Sequence, residues 1–323
     1  MPDFDTILGR ALEAPKNIPA KDLAGMLSSD DEGAWNEVFA ASRELKVRLG
    51  KTRVLPRGLI ECSNRCAKNC CYCGIRRDNR HITRYSLSPD EVKGCCEEAR
   101  RRGYPAVAFQ AGEIESEANT VYYERLLGYC GGLEVTLSLG EQTEEVYRRW
   151  KEHGALRYLL RIETSNRRLY EKIHPPECSF DRRVECIRTL KRLGYITGTG
   201  VMIGLPGQTV DDLARDIVFF GDENVDMVGM GPYIAHPDAP LHQPSTSQPL
   251  NLTLRMLALV RLYLHDVNIV AATALEALDP QNGRARGIAA GANVVMPVLT
   301  PAANRVNYDL YPGKAEVGQS DPT

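Results

Sequence analysis

Eight short apolar, β-branched runs, each followed by a charged helical stretch, constrain this 323-residue chain more than any other feature. The runs lie at 58–62, 106–111, 134–139, 157–162, 197–203, 227–231, 268–272 and 292–296. Between them come segments rich in Glu, Arg, Lys and Leu, among them 89–102, 143–153, 180–193 and 209–220. Strands that alternate with helices pair in parallel, because each crossover helix returns the chain to the same edge. Eight such units are the number that closes into a complete (β/α)8 TIM barrel; an open doubly wound sheet is the competing arrangement. Residues 1–50 read as a helical extension, with Ile7, Leu8, Ala11 and Leu12 on one apolar face and a second helical pattern over 31–49. The expected organisation is therefore an N-terminal helical extension at 1–50, one barrel at 51–315 and a tail at 316–323. The length alone would also suit two domains.

Charge narrows the partners. Forty Lys and Arg face 42 Asp and Glu, so no basic surplus marks a nucleic-acid binder. No run approaches the ~18 apolar residues of a membrane helix. The start, Met1-Pro2-Asp3-Phe4-Asp5, lacks a basic and then apolar leader. A reducing cytoplasm is the expectation, with no nucleic acid and no membrane among the partners. In that compartment clustered cysteines bind metal or do chemistry more often than they form disulfides.

Ten cysteines are the unusual count. Cys66, Cys70 and Cys73 follow the first strand with C-x3-C-x2-C spacing, on the barrel face where active sites sit. Three thiolates that close in sequence can converge on one iron–sulfur cluster and leave one iron open. Arg65, Lys68, Arg76 and Arg77 flank the loop and offset its charge. Zinc is the alternative, and it wants a fourth protein ligand, for which His81 is nearest. Cys71 is out of register. Cys62, Cys95, Cys96, Cys130, Cys178 and Cys186 fall on strand or helix positions and read as packing residues.

The spacing, with aromatic Tyr72 before the last cysteine, resembles the signature of radical S-adenosylmethionine (SAM) enzymes. That resemblance implies a [4Fe–4S] cluster whose open iron binds SAM and whose electron cleaves it to a 5′-deoxyadenosyl radical. Further stretches are similar to the HydE family, the radical SAM maturases of [FeFe]-hydrogenase: Arg57-Gly-Leu-Ile-Glu61, Cys73-Gly-Ile-Arg-Arg-Asp-Asn79, Thr136-Leu-Ser-Leu-Gly-Glu141 and Arg157-Tyr-Leu-Leu-Arg161. Gly204-Leu-Pro-Gly-Gln-Thr209, Asp226-Met-Val-Gly-Met-Gly-Pro232 and Tyr308-Asp-Leu-Tyr-Pro-Gly-Lys314 continue it, in order, over about residues 20–315. Biotin synthase and methylornithine synthase are related families.

Carried onto this sequence, the resemblance implies that Tyr72, Glu113, Ser138, Glu163, Arg183, Gly204 and Leu205 bind SAM, with Arg183 a partner for its carboxylate. It implies that Arg57, Thr136, Thr273 and Tyr311 line a deeper substrate cavity, and that Arg157, Arg161 and Tyr308 serve catalysis there. The implied substrate is a small molecule or an organometallic iron complex. The implied partners are the maturases HydG and HydF and an electron donor such as ferredoxin or flavodoxin. From the residues alone, Arg57, Arg157 and Arg161 in apolar strands are costly to bury without an anion. Arg157 and Arg161, four apart, share a strand face. Either a bound anion or a core carboxylate from Glu61, Glu134 or Glu163 would satisfy them.

Ile162 and Ala272 depart from the family's polar residues, and Glu113 is followed by Ile114 and Glu115 rather than a second acid at once. No cysteine follows Cys186, so an accessory C-terminal cluster on cysteines cannot form. Gly204 to Thr209 lacks the Lys–Ser/Thr pair of a phosphate loop. His236 and His242 read as loop residues, and His153 and His174 as solvated. A radical SAM mutase or sulfur-chemistry enzyme of the same fold remains an alternative, as does a non-catalytic iron–sulfur or zinc module.

Overall fold

The structure, a computed structural model, describes residues 3–241 and 248–314; His242 and the tail expected at 316–323 lie outside them. Ten strands build the sheets of the described chain: β1 Leu55–Ser63, β2 Ala106–Ala111, β3 Glu134–Ser138, β4 Ala155–Leu159, β5 Ile196–Thr199, β6 Met202–Ile203, β7 Met227–Val228, β8 Gly231–Pro232, β9 Asn268–Ile269 and β10 Val294–Val295. Eight pair in the order β10, β1, β2, β3, β4, β5, β7, β9. All pairs are parallel. A bridge between Val270 and Val294 joins the two ends of that series and brings the barrel close to closure.

All eight expected runs carry strand, but two of them break. The run at 197–203 divides into β5 and β6, and 227–231 into β7 and β8, which pair as a separate ribbon. The break falls where Gly200 presses against the backbone of Gly229, an approach any Cβ would block. The run at 157–162 is strand only to Leu159, so Arg161 lies past its end.

Helix boundaries follow their caps. Ser88 and Glu91 form a capping box on Pro89–Arg101, and Thr209 and Asp212 do so on Val210–Asp222. Thr143 and Ser179 cap Glu144–Glu152 and Phe180–Arg192. Three helices precede the barrel: Phe4–Glu13, Ala20–Leu27 and Glu32–Arg48. The first buries Ile7, Leu8 and Ala11 as its pattern implies; the second went unread in the sequence. The third is anchored to the barrel floor. Ser42 Oγ donates to the Ala290 carbonyl at 2.7 Å, and Lys46 Nζ to those of Ile288 and Ala292 at 2.7 Å each. Burial, and then the charge of Arg261, push the Lys46 ammonium down to about 8. No helix of the described residues is long and apolar enough to cross a membrane. The three helices pack on Val210–Asp222, Pro249–Leu264 and Gly283–Ala290, and the carboxyl ends of the strands are left to build a site.

Candidate active site

The cysteine loop leaves β1 at Ser63 and returns at Ser86, where the two residues form an antiparallel bridge. Inside it Cys66, Cys70 and Cys73 all line one cavity of about 310 Å³, and Cys71 does not. Cys71 is instead held by its backbone, donating to the Ile173 carbonyl at 2.8 Å and accepting from Leu241 N at 2.9 Å. Burial pushes up all three cavity thiols, Cys73 to about 12, and each is raised further because its thiolate would face a second negative group: the thiolate of Cys73 for Cys70, that of Cys66 for Cys73 and the Glu113 carboxylate for Cys66. Cys66 Sγ accepts the N–H groups of Lys68 at 3.4 Å and Glu113 at 3.3 Å, which favours its charged form. His81 is no fourth ligand: its ring is largely exposed and bonds Asp238 at 2.7 Å. The described residues hold no group of three His, Cys, Asp or Glu tight enough for one metal ion.

The loops after the next strands supply polar walls. Glu113, after β2, is buried; its Oε2 accepts the N–H of Glu141 at 2.9 Å and its Oε1 lies 3.1 Å from Lys68 Nζ. Burial raises its carboxyl and Arg183 opposes that. Gly140, at φ +78, lets this carboxylate approach, since a Cβ there would strike its side chain. Arg183 reaches in from the helix Phe180–Arg192, donating to Glu141 Oε1 and to the Arg161 carbonyl at 2.6 Å each. Glu163 holds a left-handed backbone, φ +66, fixed by its N–H on Gly200 O and its carbonyl under Met202 N, both at 3.0 Å. For a non-glycine residue this costs about 1–2 kcal/mol, a strain that clusters at functional positions. Ser138, Glu163, Arg183 and Tyr72 share the cavity lining with the three thiols.

Thr136, Arg161, Thr273, Tyr308 and Tyr311 line the same cavity. Tyr311 and Thr273 bond through their hydroxyls at 2.7 Å. Thr136 Oγ1 and Arg161 Nε have no hydrogen-bond partner, as expected of groups waiting for a ligand. Several expected residues are placed differently. Arg57 and Arg157 lie below the cavity and do not line it. Arg57 Nη1 rests on the Met227 sulfur at 3.0 Å, and Arg157 Nη2 pairs with Glu134 at 2.7 Å. Arg157 is in register with the cavity residue Thr136, but its side chain turns to Glu134, the first residue of β3. Arg161 pairs with the buried Glu163 at 2.8 Å, as the core-carboxylate alternative expects, whereas the Glu134 that meets Arg157 is exposed. Gly204 and Leu205 also stand outside the lining; their N–H groups both go to Gln208 Oε1. Of the two departures, Ile162 is core and faces away, and Ala272 faces the cavity. Sequence reading missed Lys314. This cavity residue is buried and paired with the fully buried Glu61.

Comparisons with known proteins fit this geometry. Residues 60–220 match the model of the Radical SAM superfamily. The chain is 44% identical over 296 residues to the [FeFe] hydrogenase maturase subunit HydE of Thermotoga maritima, covering 91% of this chain and 84% of that protein. The chain belongs to the HydE family of radical SAM enzymes. It is 26% identical to the 3-methylornithine synthase of Methanosarcina acetivorans over 89% of its own length and 82% of that protein. Two solved structures share the fold at a TM-score of 0.81 each. They are methylornithine synthase, 24% identical over 90% of this chain and 85% of that one, and the maturase HydG from Carboxydothermus hydrogenoformans, 19% identical over 92% and 71%.

Radical SAM enzymes use a [4Fe–4S] cluster and SAM, and the residues here fit both. The fit rests on three cavity-facing thiols, two cavity carboxylates, and the unpartnered Thr136 and Arg161 atoms. Tyr72, within the radical SAM motif, is steadied by His174, which the structure buries rather than exposes. Its charged neighbours in sequence concealed that the turn after the helix Arg167–Ile173 points inward. His174 Nδ1 faces the Tyr170 carbonyl at 2.9 Å, and a carbonyl only accepts, so Nδ1 carries the proton. Nε2 then accepts from the Tyr72 hydroxyl at 3.2 Å. His236 is buried too, bonding Asp309 at 3.0 Å.

Burial, with the charge of Arg183, holds the His174 imidazolium down to about 3. Above an unfolded value of about 6.5 the ring is neutral in both states and pH has no effect. Below it the unfolded chain takes a proton the folded chain refuses, costing up to about 1.4 kcal/mol per pH unit until the folded ring titrates. Denaturant unfolding should therefore show the wild type losing about 2 kcal/mol more than His174→Gln between pH 7.5 and pH 5. A difference that does not change with pH contradicts the buried neutral ring.

Proposed function

We propose that this chain acts in assembly of the diiron centre of [FeFe]-hydrogenase, cleaving SAM and directing the radical onto a mononuclear iron carbonyl–cyanide complex that carries cysteine. In this reading HydG supplies the substrate, HydF receives the product, and a ferredoxin or flavodoxin supplies electrons in a reducing, anaerobic cytoplasm. The observation that carries it is the 44% identity to a HydE subunit over nearly the whole chain. The cavity, which the three thiols share with Arg161, Tyr311 and Lys314, supports it.

Cys66, Cys70 and Cys73 would hold the cluster, which needs one iron free for SAM. When bound, the cluster supplies the electron that cleaves SAM and so gives the adenosyl radical. Glu113, Ser138 and Glu163 offer acceptors for the amino and hydroxyl groups of SAM, and Arg183 a guanidinium for its carboxylate. Tyr72 is fixed by His174 beneath that pocket. Leu59, Ile75, Ala108, Met202, Val270 and Met296 form apolar wall, which excludes water from a reactive intermediate. Arg161 and Thr136 would orient the anionic substrate, its cyanide and carboxylate groups meeting donors whose bonds are unspent, and in the Thr273–Tyr311 pair the accepting hydroxyl keeps its own proton to donate.

The test is coupled turnover. Reconstituted protein with reductant and SAM should release 5′-deoxyadenosine faster when the iron carbonyl–cyanide–cysteine complex is added, and consume that complex in step. SAM cleavage that ignores the complex, with the complex recovered unchanged, would reject the substrate assignment.

A further inference from the structure

The loop that carries the three cysteines is tied by one side chain the motif does not include. Arg84, on the returning arm, donates Nη1 to the carbonyls of Asn64 at 2.6 Å and Ile75 at 2.8 Å. Its Nη2 donates to those of Arg76 at 2.5 Å, Asn79 at 3.0 Å and, at the longer 3.3 Å, Arg77. These five carbonyls flank the cysteine run, Asn64 before Cys66 and the others after Cys73. A planar fork with donors on both sides can span such a ring of acceptors; an ammonium cannot. Secondary bonds reinforce the same stem. Asn64 Nδ2 donates to Thr83 O at 2.8 Å, Ser63 Oγ to Tyr85 O at 2.8 Å, and Asn79 Nδ2 to Gly74 O at 2.6 Å.

All five Arg84 bonds end on neutral carbonyls, so the loop gains a full positive charge that these contacts leave uncancelled. That guanidinium lies within electrostatic range of Cys66 and Cys73. Three thiolates leave a [4Fe–4S] cluster with a net negative charge, and reduction adds one more. A fixed cation nearby favours the reduced state, as charge around a cluster sets its potential.

We propose that Arg84 is a positioning residue for the cluster: its guanidinium shapes the loop that presents Cys66, Cys70 and Cys73, and its charge raises the cluster's reduction potential. The two roles separate in two variants. Arg84→Lys keeps the charge and loses the fork. Arg84→Gln loses both.

The experiment compares reconstituted wild type, Arg84→Lys and Arg84→Gln by iron content, loss of iron to a chelator, and redox titration followed by the EPR signal of the reduced cluster. Both variants should give up iron more readily, on the order of 10–100-fold in retention, the usual loss when an outer partner of a metal site is removed. Arg84→Gln should titrate at a lower potential than wild type, and Arg84→Lys close to it. Wild-type retention and potential in Arg84→Gln would overturn the proposal. So would iron-free variants that no longer fold by circular dichroism, since Arg84 would then serve the whole barrel rather than the loop. The proposal rests on the cluster alone and not on the substrate; a wild type that binds no iron would refute the cluster assignment, whereas failed hydrogenase maturation would leave Arg84 untouched.

Discussion

Replacing Cys70 by alanine is expected to take the reconstituted protein from one cluster per chain to none and SAM cleavage to background. The adjacent Cys71→Ala should leave both at the wild-type level. The two thiols sit on consecutive residues, yet Cys70 lines the cavity with Cys66 and Cys73, and Cys71 lies outside its lining. With three cysteines there is no spare ligand: losing one leaves two thiolates for a cluster that already keeps one iron open. Iron analysis and 5′-deoxyadenosine release under strict anaerobiosis read both effects. A Cys71→Ala protein without cluster, or a Cys70→Ala protein with one, would show the register to be wrong.

The second large effect is on stability. Lys314 Nζ pairs with Glu61 inside the barrel, where the two side chains are 3% and 0% exposed. Lys314→Met leaves the Glu61 carboxylate buried without its partner. Breaking a buried pair from one side costs about 3–5 kcal/mol, because a charge stripped of water stays uncompensated. The same substitution unties the end of the segment bearing Tyr308 and Tyr311, so substrate handling should suffer along with stability. Removing both charges, as Glu61→Met with Lys314→Met, should restore most of the loss, since apolar replacement of both partners is often neutral. Denaturant unfolding of the three variants measures this cycle. A loss below about 1 kcal/mol for Lys314→Met would mean the pair behaves like an exposed one.

The barrel was legible because eight strand runs and capped helices repeat a local pattern, and local patterns survive in sequence. The cysteine loop was legible for the same reason: its chemistry sits within eight residues. What stayed hidden was long-range pairing. Spacing shows which strand face an arginine takes but not its layer. Arg57 and Arg157 therefore looked equivalent to Arg161, although only Arg161 reaches the cavity. Arg261 makes the same point from the other direction. It is the most buried arginine, yet it donates to the carbonyls of Gly291, His265 and Val267 and to Asn293 Oδ1, which ties together the segments that lead into β9 and β10. Lys314 was hidden because its partner Glu61 lies 253 residues away. Arg84 was hidden because every group it binds is main chain, which leaves no trace in side-chain pattern.

The account stands most directly on activation of a hydrogenase that lacks its diiron centre. Apo-[FeFe]-hydrogenase incubated with HydG, HydF, SAM, reductant and this protein should gain hydrogen-evolving activity. Omission of the protein, or its replacement by the Cys70→Ala variant, should leave the enzyme inactive. Equal activation with and without the wild-type protein would contradict the proposed function.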